Sequence, residues 1–154
     1  MLYFAYGSNM DWEQMKERCP SAQFVGVAEL RDHTLAFTRR SVKRGCGVCD
    51  AVAQNGKVMW GPVFEIRDAD IGRLDAEEGY QPGRAKNSYW RKECHVFMNG
   101  DDKQPMAVMT YFGDPQDKPP LPNARYKNQL LSGARRWQLP DSYMKELEAI
   151  KVSD

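Results

Sequence analysis

The stretch "VCDAVAQNGKVMWGPVFEI", residues 48–66, decides the fold. Its two arms, 48–54 and 57–66, are strand-like, and the Asn55-Gly56 pair between them suits a tight primed turn, so the stretch predicts a hairpin of two adjacent antiparallel strands. Toward the N-terminus, residues 22–38 predict one long bent strand or two paired ones, with Gly26 as a bulge. Residues 2–6 form a short apolar run ended by Gly7, the pattern of a strand buried on both faces. Residues 11–18 then predict a short helix, with Asp11 and Gln14 spaced as a capping box and Pro20 just past its end.

Toward the C-terminus, "DADIGRLDAEE" (68–78) places Ile71, Leu74 and Ala69 on one helical face, with Asp68 as N-cap and Gly79 as the stop. Residues 89–98 and 106–111 predict a second hairpin, joined through "NGDDKQP" with Asn99-Gly100 in the turn. The segment 113–123 holds four of the nine prolines and is excluded from regular structure, which makes it a crossover loop. Residues 124–137 and 141–150 predict two helices, with Pro140 opening the second. The order is a strand, a helix, a block of antiparallel strands interrupted by a helix, then C-terminal helices. It predicts an α+β fold with a mixed sheet or small barrel, in one domain spanning 1–154.

Composition narrows the function. Lys and Arg number 22 against 21 Asp and Glu, leaving a net charge of +1, so no global field favours nucleic acid or anionic lipid, and a small-molecule partner is expected. The densest basic run, "TRRSVKR" (38–44), is expected to be a solvated hairpin end. No run approaches a membrane span and no leader-like segment opens the chain, so a soluble, cytoplasmic protein is expected. Cys46 and Cys49 form a Cys-x-x-Cys, but the two histidines, His33 and His95, stand alone and the motif enters a strand. No metal site is expected, and the cysteines are read as core or turn residues. In the C-terminal helices, Leu130, Leu131 and Trp137 are either core or an exposed apolar face of a homodimer.

Two features carry chemistry. At Tyr6-Gly7-Ser8-Asn9 a buried strand gives way to a helix, where Gly7 turns the chain and free N–H groups can point at a carboxylate or oxyanion; simple helix capping is the alternative. Ser8 is expected to donate a hydrogen bond, since neither histidine stands where a serine nucleophile needs a base. The second feature is "LDAEEGY" (74–80). Asp75, Glu77 and Glu78 crowd the negative end of a helix, so a partly buried glutamate there should have its pKa raised toward the range of proton transfer; the alternative is three solvated carboxylates.

Together, "YFAYGSN" (3–9) and "LDAEEGY" resemble the gamma-glutamylcyclotransferase family. "CPSAQFVGVAEL" (19–30), "VMWGPVFEI" (58–66) and "ARYKNQLLSGARRWQLP" (124–140) are similar to it in order and spacing. The resemblance implies a small mixed, mainly antiparallel β-barrel flanked by helices. It also implies a cofactor-free acyl transfer in which a gamma-glutamyl amino acid or amine closes to 5-oxoproline and releases the amine. Glu78 matches the family's proton-transferring glutamate. Tyr3, Phe4, Ala5, Tyr6, Gly7 and Ser8 match the loop that holds the glutamyl group, and Tyr126 matches a pocket tyrosine. The rivals are a same-fold enzyme that removes a gamma-glutamyl protecting group from a specialised metabolite and a non-catalytic binding module. Cys46-x-x-Cys49 and the long segment 79–93 depart from the family pattern; neither is expected to touch the catalytic core, though the loops Gln81–Ser88, within that segment, and Gly113–Asn123 are candidates for lids.

Overall fold

The computed structural model describes residues 1–101 and 103–154. Five strands, β1 (Leu2–Phe4), β2 (Gln23–Ser41), β3 (Cys46–Glu65), β4 (Tyr89–Met98) and β5 (Pro105–Gly113), close into a barrel in the order β1-β3-β2-β4-β5. All neighbours are antiparallel except β1 and β5, whose parallel pairing of Tyr3 with Met109 closes the ring. The helices are α1 (Trp12–Arg18), α2 (Asp68–Glu77), α3 (Ala124–Arg136) and α4 (Asp141–Glu148). The expected α+β class with a mixed, mainly antiparallel barrel is what the chain adopts.

The stretch 48–66 behaves differently from its local reading. It is one continuous strand, β3, lying against β2 along almost its whole length. Arg31 pairs with Val58 and His33 with Ala53, so residues 54–57 oppose Asp32 alone as a bulge. The Gly56 amide donates to Asp32 Oδ1 at 2.9 Å, and Asp32 itself has φ 58, so the Asn-Gly chemistry serves a bulge in place of a turn. The true hairpin end lies at residues 42–45, between Ser41 and Cys46, which is where the basic run ends. Gly26 does sit at a register shift, as expected of a bulge. The second hairpin is present, and within its turn Asn99 and Gly100 take positive φ, while Asp102 lies outside the described residues.

The core fills the barrel and the space beneath the helices. Phe4, Met59, Val63, Phe64 and Val96 are fully buried, each large side chain contributing about 1.5–3 kcal/mol by leaving water. Leu130 and Leu131 are buried and Trp137 is half-buried against Phe24, so these three serve as core. Among the described residues no helix is long and apolar enough to cross a membrane.

Helix α3 braces the start of the chain. Gly133 comes so close to the turn at Ser8–Met10 that a Cβ on it would lie 2.7 Å from the Met10 carbonyl carbon. The Trp137 indole N–H donates to the Met10 carbonyl at 2.8 Å. Trp12 stacks on Phe64 and meets Trp137 edge to face, which fixes α1 on the same side.

Candidate active site

The chain leaves β1 at Phe4 and does not enter α1 directly. A single 3-10 turn, Ser8–Met10, intervenes, and Asp11 caps α1 by accepting from the Glu13 amide at 3.1 Å. Gln14, expected to complete a capping box, turns away and donates to Ser8 Oγ at 2.8 Å and Asn9 Oδ1 at 2.9 Å. The free amides of this junction therefore belong to the loop, not to the helix. No hydrogen bond among the described residues uses the amides of Gly7, Ser8 or Asn9 as donor, so three successive N–H groups stand open beside the cavity these residues line.

Opposite them stands the end of α2. Gly79, at φ 64, ends the helix in a Schellman turn, with the Gly79 amide bonded to the Ala76 carbonyl (3.1 Å) and the Tyr80 amide to the Asp75 carbonyl (2.9 Å). A Cβ on Gly79 would lie 2.9 Å from Ser88 Cβ. Arg67 occupies the N-cap position expected of Asp68, and Asp68 is the first helical residue, so the helix begins one residue earlier than expected.

The three crowded carboxylates separate because adjacent helical residues point about 100° apart. Asp75 is buried, accepting from the Tyr111 hydroxyl at 2.6 Å and from Arg91 Nη1 at 2.9 Å, which pins α2 onto β4 and β5. Glu77 is exposed and pairs with Arg18 at 3.5 Å. Glu78 alone faces the cavity, and its Oε1 accepts from Asn9 Nδ2 at 3.1 Å. Asn9 thereby joins the two halves of the site: the same amide nitrogen donates to the Tyr3 hydroxyl at 3.0 Å, while Asn9 Oδ1 accepts from Arg18 Nη1 at 3.0 Å.

Withdrawal from water pushes the Glu78 carboxyl from its ordinary 4.5 up to about 7; the neighbouring Glu77 charge adds to this, and Arg18, Arg44 and the Asn9 hydrogen bond oppose it. Burial and like charge both act, as expected from the sequence, but Asp75 is held by partners of its own.

Around these groups the cavity, about 40 Å³ in volume, is lined by Tyr3, Tyr6, Tyr89, Tyr111 and Tyr126, with Cys49 beside Gly7. Burial raises all five phenol pKa values above the ordinary tyrosine range, so each hydroxyl stays protonated at neutral pH. Tyr6 donates to the Tyr111 carbonyl, Tyr89 donates to the Cys49 carbonyl, and the Tyr126 hydroxyl accepts from the Cys49 amide at 3.1 Å. Burial also pushes the Cys49 thiol up to about 12, which leaves it un-ionised and a poor nucleophile. Neither histidine lines this cavity. A larger groove of about 680 Å³, between Lys16 and Asp70, holds none of these groups.

Of the residues singled out in the sequence, Tyr3, Tyr6, Gly7, Ser8, Glu78 and Tyr126 come together here. Phe4 and Ala5 do not line the cavity: Phe4 is fully buried with its carbonyl accepting from Thr110 Oγ1 (2.7 Å), and the Ala5 amide is spent on the Pro62 carbonyl (3.0 Å). They anchor the loop. Cys49 and Tyr89 correct a second expectation, because the Cys-x-x-Cys run and the segment 79–93 each place one residue in the cavity wall. Asn9 stood inside the quoted motif without a role. Tyr89 and Tyr111 carried no local signal, since only barrel closure brings β4 and β5 to the end of β1.

The fold and site define a small mixed barrel with a protonatable carboxyl group facing open loop amides across a tyrosine-lined cavity. A family model, that of the AIG2-like family, matches residues 58–147. Over 157 aligned residues, covering 99% of this chain and 80% of the relative, the sequence is 31% identical to a gamma-glutamylcyclotransferase of Homo sapiens. It is 29% identical to one of Bos taurus at the same coverage. A solved structure of a gamma-glutamyl cyclotransferase, 29% identical, superposes with a TM-score of 0.89 over 100% of this chain and 89% of that one. The chain belongs to the AIG2-like family, among the gamma-glutamylcyclotransferase-like proteins.

Proposed function

We propose that residues 1–154 act as a single gamma-glutamylcyclotransferase domain, converting a gamma-glutamyl amino acid or amine into 5-oxoproline and the free amine. One observation carries the reading: a carboxyl group with a pKa pushed up to about 7 faces the same cavity as the open amides of Gly7, Ser8 and Asn9. A base that ionises near neutrality can both take and return a proton.

The substrate supplies its own nucleophile. Ionised Glu78 takes a proton from the alpha-ammonium group, and the freed amine attacks the gamma carbonyl carbon, forming the ring C–N bond. The loop amides hold the oxyanion that develops. Protonated Glu78 then gives its proton to the departing nitrogen as the original C–N bond breaks. The ring nitrogen passes its surplus proton to the regenerated carboxylate, which hands it to the freed amine, so the amine leaves as ammonium, the lactam keeps one N–H, and Glu78 ends ionised. Tyr3, Tyr6, Ser8 and Tyr126 confine the glutamyl chain in a curled geometry, which is where most of an intramolecular closure's advantage arises. Every group in this scheme belongs to the chain or the substrate.

Mass spectrometry of products from a panel of gamma-glutamyl amino acids and amines tests this. 5-Oxoproline and free amine in equal amounts are expected, with no reaction when the alpha-amine is acetylated. Free glutamate as the product, or turnover of the acetylated substrate, would refute the cyclisation.

A further inference from the structure

Gln14 has the spacing of a capping-box residue but spends its carboxamide on side chains. Its Nε2 donates to Ser8 Oγ at 2.8 Å and to Asn9 Oδ1 at 2.9 Å, while its Oε1 accepts from Arg44 Nη2 and from Gln129 Nε2, both at 3.0 Å. The sense of these bonds is fixed from the edges of the cluster, because a guanidinium only donates and an ionised carboxylate only accepts. Arg44 Nη1 donates to Gln129 Oε1 at 2.8 Å, and Gln129 Nε2 donates to Asp11 Oδ2 at 3.0 Å, so the Gln129 amide has one orientation. Arg44 Nη2 then requires the Gln14 oxygen to face it, which turns the Gln14 amide nitrogen toward Ser8 and Asn9. Asn9 Oδ1 is taken by Gln14 and by Arg18 Nη1, which leaves Asn9 Nδ2 to face Glu78 and Tyr3.

The result is a one-way series of donors running from Arg44 through Gln14 and Asn9 to the Glu78 carboxyl. Hydrogen bonds aligned head to tail in this way polarise one another. A side branch reaches Ser8. Its hydroxyl has a single proton, and Gln14 occupies a lone pair on Oγ, so the proton is left over; among the described residues Ser8 Oγ donates to no protein group. Ser8 lines the cavity and Gln14 does not. A donor outside the cavity therefore leaves the Ser8 proton for whatever the cavity holds.

We propose that Gln14 is a positioning residue: locked in one sense by Arg44, it holds Asn9 against Glu78 and keeps the Ser8 hydroxyl a donor into the cavity. The inference rests on the cyclotransferase reading and adds to it a residue outside the cavity wall.

The test follows 5-oxoproline formation from gamma-glutamyl-alanine in the wild type, Gln14→Glu, Gln14→Met, Ser8→Ala and the Gln14→Glu/Ser8→Ala double variant. KM is read above the ascending limb of the pH profile, where Glu78 is ionised, and it does not depend on the fraction of enzyme that is folded. Glutamate has the shape of glutamine and still accepts from Arg44 and Gln129, but it cannot donate, so the Ser8 proton turns toward it and away from the cavity. Gln14→Glu should raise KM by roughly 3- to 10-fold, the range of one neutral hydrogen bond. Gln14→Met, which leaves the Ser8 hydroxyl to turn either way, should raise it less. Ser8→Ala should match Gln14→Glu, and the double variant should go no further. Gln14→Met, which adds no charge, should also move the ascending limb of kcat/KM against pH upward by roughly half a pH unit as Asn9 loosens on Glu78. A larger KM in Gln14→Met than in Gln14→Glu would make Gln14 a spacer. Additive effects in the double variant would trace the loss to charge alone, and an unmoved limb would detach Gln14 from Glu78. Each of these overturns the proposal while cyclisation stands. Absence of 5-oxoproline with the wild type overturns the cyclotransferase reading and this inference with it.

Discussion

Replacing Glu78 with glutamine should make the protein inactive and, above neutral pH, more stable. The carboxyl is pushed from 4.5 up to about 7 chiefly because the fold removes it from water. Between those two values the folded state holds a proton that the unfolded state has lost, so the native stability falls as pH rises through this window. Below pH 4.5 both states are protonated and the penalty is absent; above 7 it is complete. The interval, at about 1.4 kcal/mol per pH unit, corresponds to a penalty on the order of 3 kcal/mol. Glutamine is isosteric, does not ionise, and its side-chain oxygen can still accept from Asn9. Chemical denaturation of wild type and Glu78→Gln at pH 4 and pH 8 should therefore give nearly equal stabilities at pH 4 and a more stable variant at pH 8. Loss of the proton acceptor should lower kcat by roughly 10²- to 10⁴-fold, the usual contribution of a general base. Equal stabilities at pH 8 would show that Glu78 is not desolvated, and near-normal turnover by the variant would remove Glu78 from the chemistry.

Two further perturbations probe the groups around Glu78. The Arg18 charge opposes the rise in the Glu78 pKa, so Arg18→Gln should move the ascending limb of the kcat/KM against pH profile upward by roughly one pH unit; an unmoved limb would show that the pair is fully screened. Gly133→Ala forces a methyl group to within 2.7 Å of Met10 and should cost about 1–3 kcal/mol while raising KM through displacement of the Gly7–Asn9 loop; an unchanged melting temperature would mean that α3 gives way without strain.

Much of this was open to local reading. The helix end at Gly79 was marked by a glycine that can take positive φ, and the strand end at Gly7 by a change from apolar to small polar residues. The acidic crowding of 74–80 rightly pointed to one carboxyl with a raised pKa, but sequence could not divide the three. That division depends on Tyr111, Arg91 and Arg18, which reach α2 from β5, β4 and α1. Asn55-Gly56 misled because a two-residue turn and a bulge ask for the same local chemistry. What distinguishes them is the partner strand, and β2 runs on past the pair.

By itself, then, the sequence determined the pieces whose physics is local: the α+β class, the helix boundaries to within a residue or two, and the two motifs that hold an open amide run and a candidate base. Only the tertiary structure decided that the motifs meet, through Asn9, and that Cys49, Tyr89 and Tyr111 complete the wall. It also decided that Arg44, in the basic run expected to be a solvated hairpin end, turns back to donate to Gln129 and Gln14. Each of these depends on pairing across the barrel between residues far apart in the chain, and the period-two pattern of a strand specifies a face but not which strand will lie beside it.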